Sequence, residues 1–119
     1  MPKSILVADD DQAMLNIYTR LFMGADYLIS QASSFAEAAQ LINSNNYDLL
    51  ITDLMLKDGL GTELIKMFEK KRNGARSLLV TGSVAELTQE QRPEVYFEKP
   101  FKVEIFMAAV TKALAGSVS

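Results

Sequence analysis

Four short apolar runs stand out along the chain: Ile5-Leu6-Val7-Ala8, Leu49-Leu50-Ile51-Thr52, Leu78-Leu79-Val80-Thr81 and Val95-Tyr96-Phe97. They are continuous rather than alternating, as strands are when helices cover both faces of a parallel sheet. A more polar fifth run, Tyr27-Leu28-Ile29-Ser30-Gln31-Ala32, suits a strand nearer an edge. Segments of helical period lie between these runs. Met14, Ile17, Tyr18, Leu21 and Phe22 form one apolar stripe, and Phe35, Ala38, Ala39 and Ile42 a second. Ser34 and Glu37 mark the start of the second with the spacing of a capping box. Leu64, Ile65 and Phe68 form a third stripe, which Asn73-Gly74 brings to a stop. The last helix carries Ile105, Phe106, Ala109, Val110 and Ala113. Residues 85–91 have little amphipathic pattern and precede Pro93, so only a short helix is expected there.

Five strands alternating with five helices predict a parallel sheet with right-handed crossovers, an open three-layer α/β sandwich. A chain of 119 residues fits one domain, 1–119, and shows no internal repeat or low-complexity tract. Ala115-Gly116-Ser117-Val118-Ser119 reads as a frayed helix end or a linker stub.

Composition removes whole classes of chemistry. Zero cysteines exclude disulfide scaffolds, thiolate metal sites and cysteine nucleophiles. Zero histidines exclude a histidine general base and imidazole-bound zinc. A net charge of −3 gives no reason to expect nucleic acid as a direct ligand. No apolar stretch approaches the ~20 residues of a bilayer-spanning helix. Met1-Pro2-Lys3 leads straight into an apolar run without signal-peptide architecture, so a cytoplasmic protein is expected.

Ligands of an open parallel sheet bind at the carboxyl ends of its strands. Asp9-Asp10-Asp11 follows the first strand, Asp53 the third, Thr81-Gly82-Ser83 closes the fourth, and Lys99-Pro100 follows the fifth. Clustered carboxylates repel one another unless a cation arrives. Hard oxygen ligands without nitrogen or sulfur favour Mg²⁺, which takes one or two carboxylates and leaves another free as a nucleophile. Lys99 and the Thr81 hydroxyl would add donors for an incoming phosphoryl group, and phosphoryl transfer is catalysed mainly by such positioning and charge neutralisation. Asp11 is read more simply as a helix N-cap.

With these residues in this order, the chain resembles the receiver domains of bacterial two-component response regulators, from Ser4 to about Ala115. The matching pattern is Asp9-Asp10, Asp53, Gly61, Thr81 and Lys99-Pro100. The resemblance implies a flavodoxin-like, five-stranded parallel sheet of order 2-1-3-4-5 with five helices on its two faces. It implies that Asp53 accepts a phosphoryl group from a sensor histidine kinase or phosphotransfer protein. Mg²⁺ would be held by Asp9, Asp10, Asp53 and the main-chain carbonyl of Met55. Lys99 and Thr81 would contact the acyl phosphate, and Tyr96 would be the switch aromatic that swings in behind Thr81. Met55 and Ser83 would flank the path of the hydrolytic water. The domain would catalyse only its own phosphorylation and dephosphorylation, passing the signal to a downstream protein or fused output domain, with no direct contact to nucleic acid or membrane.

Two features depart from the family. Lys57 stands where a proline is usual, which implies a looser loop, and the stretch from Thr81 to Lys99 is short. The alternatives are a pseudo-receiver that binds without phosphate and a small Mg²⁺-dependent aspartyl phosphohydrolase. The latter wants a second Asp where Met55 stands. The basic cluster Lys66, Lys70, Lys71, Arg72 and Arg76 reads as a solvated helix face, and Met14, Met23 and Met107 as core filler.

Overall fold

The strand runs and helical stripes assemble into one open sheet with helices on both sides. The structure is a computed structural model that describes residues 2–72, 74–82, 96–99 and 101–116. In chain order it contains β1 (Lys3–Ala8), α1 (Gln12–Phe22), β2 (Tyr27–Ala32), α2 (Phe35–Ser44), β3 (Leu49–Thr52), β4 (Met55–Leu56), β5 (Gly59–Leu60), α3 (Gly61–Lys71), β6 (Arg76–Thr81), β7 (Tyr96–Glu98) and α4 (Val103–Gly116). The main sheet is parallel in the order β2-β1-β3-β6-β7, which is 2-1-3-4-5 when only its own strands are counted. The polar strand β2 does lie at an edge. Four helices occur among the described residues; the short helix expected at 85–91 lies outside them, as do Ser83 and Pro100. The small antiparallel hairpin β4–β5 carries no sequence pattern that announced it.

Alternation along the buried strands explains why they are apolar throughout. Leu6, Ala8, Leu50 and Leu79 pack with Ala38, Ile42, Leu64 and Phe68 from α2 and α3. Ile5, Val7, Leu49, Ile51, Leu78 and Val80 face the other way, toward Leu15, Tyr18, Phe22, Phe106 and Val110 of α1 and α4. Phe106 anchors that second layer, with ring centroids 4.6 Å from Phe101, 5.6 Å from Phe97 and 5.9 Å from Tyr18.

The helical stripes need correction by one position in places. In α1 the buried set is Leu15, Tyr18 and Phe22, while Ile17 faces solvent. In α4 it is Phe106, Val110, Ala113 and Leu114, and Ile105 is 57% exposed. Neighbouring positions differ by about 100° around a helix. A broad stripe therefore fixes the buried face only to within a residue. Met14 and Met107 pack against the core as expected, but Met23 is 74% exposed and fills nothing.

Two of the five basic residues clamp the end of the sheet opposite the acidic cluster. The Lys71 ammonium donates to the carbonyls of Ile42 and Asn45, closing the C-terminal turn of α2. Arg72 Nη1 lies 2.9 Å from Asp48 Oδ1, and the Ser4 N–H donates to Asp48 Oδ2 at 2.8 Å. Partial burial works against the Asp48 carboxylate, but the Ser4 amide and Arg72 outweigh it and hold the group below its ordinary range. Lys66, Lys70 and Arg76 are exposed, as a solvated face requires.

Two buried hydroxyls, those of Tyr18 and Ser77, have no hydrogen-bond partner among the described residues. The Tyr18 hydroxyl is buried without a hydrogen-bond partner, and burial, reinforced by the charges of Asp9 and Asp53, pushes its pKa up. An unsatisfied buried hydroxyl costs about 1–3 kcal/mol, whereas a phenylalanine of the same shape leaves nothing unpaired. Tyr18→Phe should therefore stabilise the domain by about 1 kcal/mol in urea unfolding. A lower midpoint would mean that the hydroxyl is satisfied in solution.

Candidate functional site

Parallel register dictates which side chains meet at the carboxyl edge. Ala8 of β1 is paired with Thr52 of β3, so the next residues, Asp9 and Asp53, leave the sheet side by side. Adjacent strands lie about 4.8 Å apart. The ladder continues one step further, because the Asp9 N–H donates to the Ala32 carbonyl and the Asp53 N–H to the Ala8 carbonyl, each at 3.0 Å. On the other flank Thr81 is paired with Glu98, and the following Lys99 N–H donates to the Thr81 carbonyl at 2.8 Å. The Lys99 side chain then reaches back across the sheet edge.

Its ammonium lies 3.0 Å from Asp9 Oδ2 and 3.2 Å from Asp53 Oδ2. Asp9, Asp10 and Asp53 each present a carboxylate oxygen within 4.8 Å of the others. Asp9 is fully buried, Asp53 partly so, and Asp10 is exposed. Burial pushes the Asp9 carboxyl above its ordinary range; the Asp11 N–H, 2.9 Å from Oδ1, and Lys99 pull it back down, while Asp53 adds to the rise. Partial burial works against the Lys99 ammonium, but its hydrogen bond to Asp9 and the charges of Asp53 and Asp9 win and raise its pKa. The Lys99 ammonium thus bridges two of the three clustered carboxylates. An all-oxygen set of this kind is suited to a hard divalent cation.

The remaining residues named from the sequence fall around this cluster. Asp11 is the N-cap of α1, accepting from the Ala13 N–H at 3.0 Å, so it belongs to the helix rather than to the site. Thr81 is buried at the end of β6. Tyr96 sits at the exposed rim, on the neighbouring strand β7. Its register partner is Leu79, two residues before Thr81, so Tyr96 and Thr81 share one face of the sheet. Met55 is half-exposed and opens the hairpin that follows Asp53.

Gly61 has a specific role that its spacing alone does not explain. A Cβ there would lie 1.9 Å from the Asp53 carbonyl oxygen and 2.9 Å from Thr52 Oγ1. Its N–H donates to the Leu54 carbonyl at 2.7 Å, which draws the start of α3 tightly against the strand end carrying Asp53. Thr52 Oγ1 donates to the Asp53 carbonyl at 2.9 Å, a contact that the apolar appearance of β3 concealed.

The open α/β sheet thus gathers three carboxylates, a buried threonine and an ammonium at its switch-point edge, a set whose charges suit a divalent cation and a phosphoryl group. Comparison with known proteins agrees. The model of the response regulator receiver domain family matches residues 5–111, and the chain belongs to that family. It is 26% identical over 115 residues to the DNA-binding transcriptional regulator NtrC of Azospirillum brasilense, covering 93% of this chain and 24% of that protein. The chain therefore spans about a quarter of the length of that relative. The crystal structure of response regulator TrrA from Thermotoga maritima, in complex with Mg²⁺-BeF, is 27% identical with a TM-score of 0.81, covering 93% of this chain and 98% of that one. A response regulator from Burkholderia pseudomallei, solved with a phosphorylated aspartic acid, calcium ion and citrate, is 28% identical with a TM-score of 0.78, covering 95% and 69%. The protein is thus a receiver domain of phosphorylation-dependent signalling, and its acidic cluster could bind a metal ion.

Proposed function

We propose that Asp53 is the phosphoacceptor and that Mg²⁺ is held by Asp9, Asp10, Asp53 and the main-chain carbonyl of Met55. The observation that carries this reading is the Lys99 ammonium bridging Asp9 and Asp53 within a cluster of three carboxylates. Bound there, Mg²⁺ supplies positive charge against both the carboxylates and the phosphoryl oxygens. An Asp53 carboxylate oxygen attacks the phosphorus of a phosphohistidine on a sensor kinase or phosphotransfer protein. The P–N bond breaks, its electron pair stays with the imidazole, and an acyl phosphate forms on Asp53. Lys99, already within hydrogen-bond distance of Asp53, neutralises one phosphoryl oxygen, and the Thr81 hydroxyl donates to another.

Thr81 and Tyr96 share a sheet face, which supports a switch in which Tyr96 moves from the exposed rim toward the space that Thr81 leaves. The domain acts only on itself, turning over no outside substrate. Residues 1–119 form one receiver unit that operates in the cytoplasm, and its output passes to a downstream protein or a fused module. The phosphohydrolase reading loses ground because Met55, which cannot act as an acid, occupies the position its second Asp would need. The pseudo-receiver reading has no support in a site that retains all three carboxylates and the ammonium.

Incubation with acetyl phosphate and Mg²⁺ should add one phosphoryl group per chain, read by intact-protein mass. Chelation of the metal should slow incorporation by about a hundredfold or more. Incorporation that proceeds equally in excess chelator would contradict the proposed cation site.

A further inference from the structure

The hairpin between Asp53 and α3 is tied to a helix far from it in sequence. Asp58, in the turn between β4 and β5, accepts from the Phe35 N–H at 2.7 Å through Oδ1 and from the Ala36 N–H at 3.1 Å through Oδ2. These are the first two amides of α2; the third, Glu37, is served by Ser34 Oγ at 3.1 Å. The carboxylate sits at the positive end of the helix, and its two backbone hydrogen bonds hold it below the ordinary carboxylate range. Gly59 adds a second tie. A Cβ there would lie 2.5 Å from the Phe35 ring, so the hairpin backbone lies directly on that side chain.

Beyond these ties the hairpin is held by the burial of Leu56 in the core and by the Gly61 N–H bond to the Leu54 carbonyl, and hardly by its own ladder. Its strands are two residues each, paired Met55 to Leu60 and Leu56 to Gly59, too short to hold a conformation alone. Lys57, between Leu56 and Asp58, adds no ring restraint on φ to this loop. Leu60, the N-cap of α3, offers no side-chain hydrogen bond. Its near end carries Met55, and its far end is held by α2.

We propose that Asp58 is a positioning residue for the cation site: by clasping the N-terminus of α2 it fixes the hairpin, and with it the main chain of Met55. This rests on the reading of Met55 as a metal ligand. It also replaces the expectation of a loose loop, because the Asp58 bonds supply the restraint that a proline would give. The clasp and a simple helix cap make different predictions. A cap contributes only to folding, whereas a positioning residue also sets metal affinity. Residues that orient ligands from outside the coordination shell typically change metal affinity 10–100-fold when removed.

The test is isothermal titration with Mg²⁺, in parallel with thermal melting without metal, on the wild type and four variants. Asp58→Ala should weaken Mg²⁺ binding about tenfold and lower the melting midpoint. Asp58→Asn, whose one acceptor oxygen replaces two, should fall between it and the wild type. Gly59→Ala, which keeps the Asp58 carboxylate but forces the hairpin away from the Phe35 ring, should also weaken Mg²⁺ binding. Ser34→Ala removes a cap at the same helix end but does not touch the hairpin. It should lower the midpoint and leave Mg²⁺ affinity unchanged. Asp58 variants that behave like Ser34→Ala would overturn the inference and leave Asp58 a helix cap. Wild-type protein that binds no Mg²⁺ would overturn the cation site itself, a result distinct from the first. Should Asp58→Ala not fold, Asp58→Asn and Gly59→Ala carry the same test.

Discussion

Gly61→Ala should cost about 3 kcal/mol of stability and slow phosphoryl transfer to Asp53 by at least an order of magnitude. By helix propensity alone the change should help, since alanine is better than glycine in a helix by about 1 kcal/mol. The site reverses the sign. The new methyl would stand 1.9 Å from a backbone oxygen, with the Asp53 carbonyl carbon 2.9 Å away, and backbone cannot rotate aside as a side chain can. Either the start of α3 or the end of β3 must move, and the Gly61 N–H to Leu54 carbonyl bond is lost with it. The second movement displaces Asp53 itself, and the first removes the backbone that packs against it. Gly61 does not have positive φ, so close approach alone carries the argument. Urea midpoints and rates of adduct formation check both parts. A variant as stable and as fast as the wild type would show that the strand end tolerates the shift.

Lys99→Ala should remove at least a hundredfold of the phosphorylation rate and about 2 kcal/mol of stability near neutral pH. The rate loss follows from deleting the side-chain cation that touches Asp53. The stability loss follows from Asp9, which is fully buried and, among the described residues, would keep only the Asp11 N–H while still facing Asp53. Breaking a buried pair costs about 3–5 kcal/mol. The smaller figure allows for the partial exposure of Lys99 and Asp53.

The pH dependence gives this prediction a sign. The folded pKa of Lys99 is raised, so its contribution is complete below the unfolded value near 10.5 and is lost as pH rises through the folded value. The folded pKa of Asp9 is also raised, so the folded state gains protons over the unfolded one just above pH 3.8, and stability falls as pH rises through that window. In Lys99→Ala the Asp9 pKa rises further. The gap between variant and wild type should therefore narrow as pH falls toward 4 and Asp9 is protonated. Mg²⁺ should narrow it too, by supplying the missing positive charge. A gap independent of both pH and Mg²⁺ would locate the loss in packing instead.

The parts of this site written by single strand ends were legible in the sequence. Asp9, Asp53, Thr81 and Lys99 each follow or close an apolar run, and parallel register converts that into proximity without further information. Asp11 was equally readable, because N-capping is local. Contacts joining separate segments were not. Asp58 caps a helix that begins 23 residues earlier, and neither end signals the other. The hairpin β4–β5 has two-residue strands, too short for any period to register. The clamp made by Lys71 and Arg72 looked like part of a solvated charge run, since a list of basic residues does not reveal which carbonyls lie opposite. Ile17 and Ile105 were misplaced for a different reason. Their helices have broad apolar arcs, and the sheet decides which edge of the arc is buried.

We propose that Asp53, and no other carboxylate of the cluster, carries the phosphoryl group. This assignment is tested most directly by phosphorylating the domain with acetyl phosphate and Mg²⁺, reducing the acyl phosphate with borohydride, and locating the modified residue by peptide mass, with Asp53→Asn in parallel. The expected result is reduction at Asp53 alone, converting it to homoserine, and no adduct on the variant. Modification at Asp9 or Asp10, or an unchanged adduct on Asp53→Asn, would contradict it.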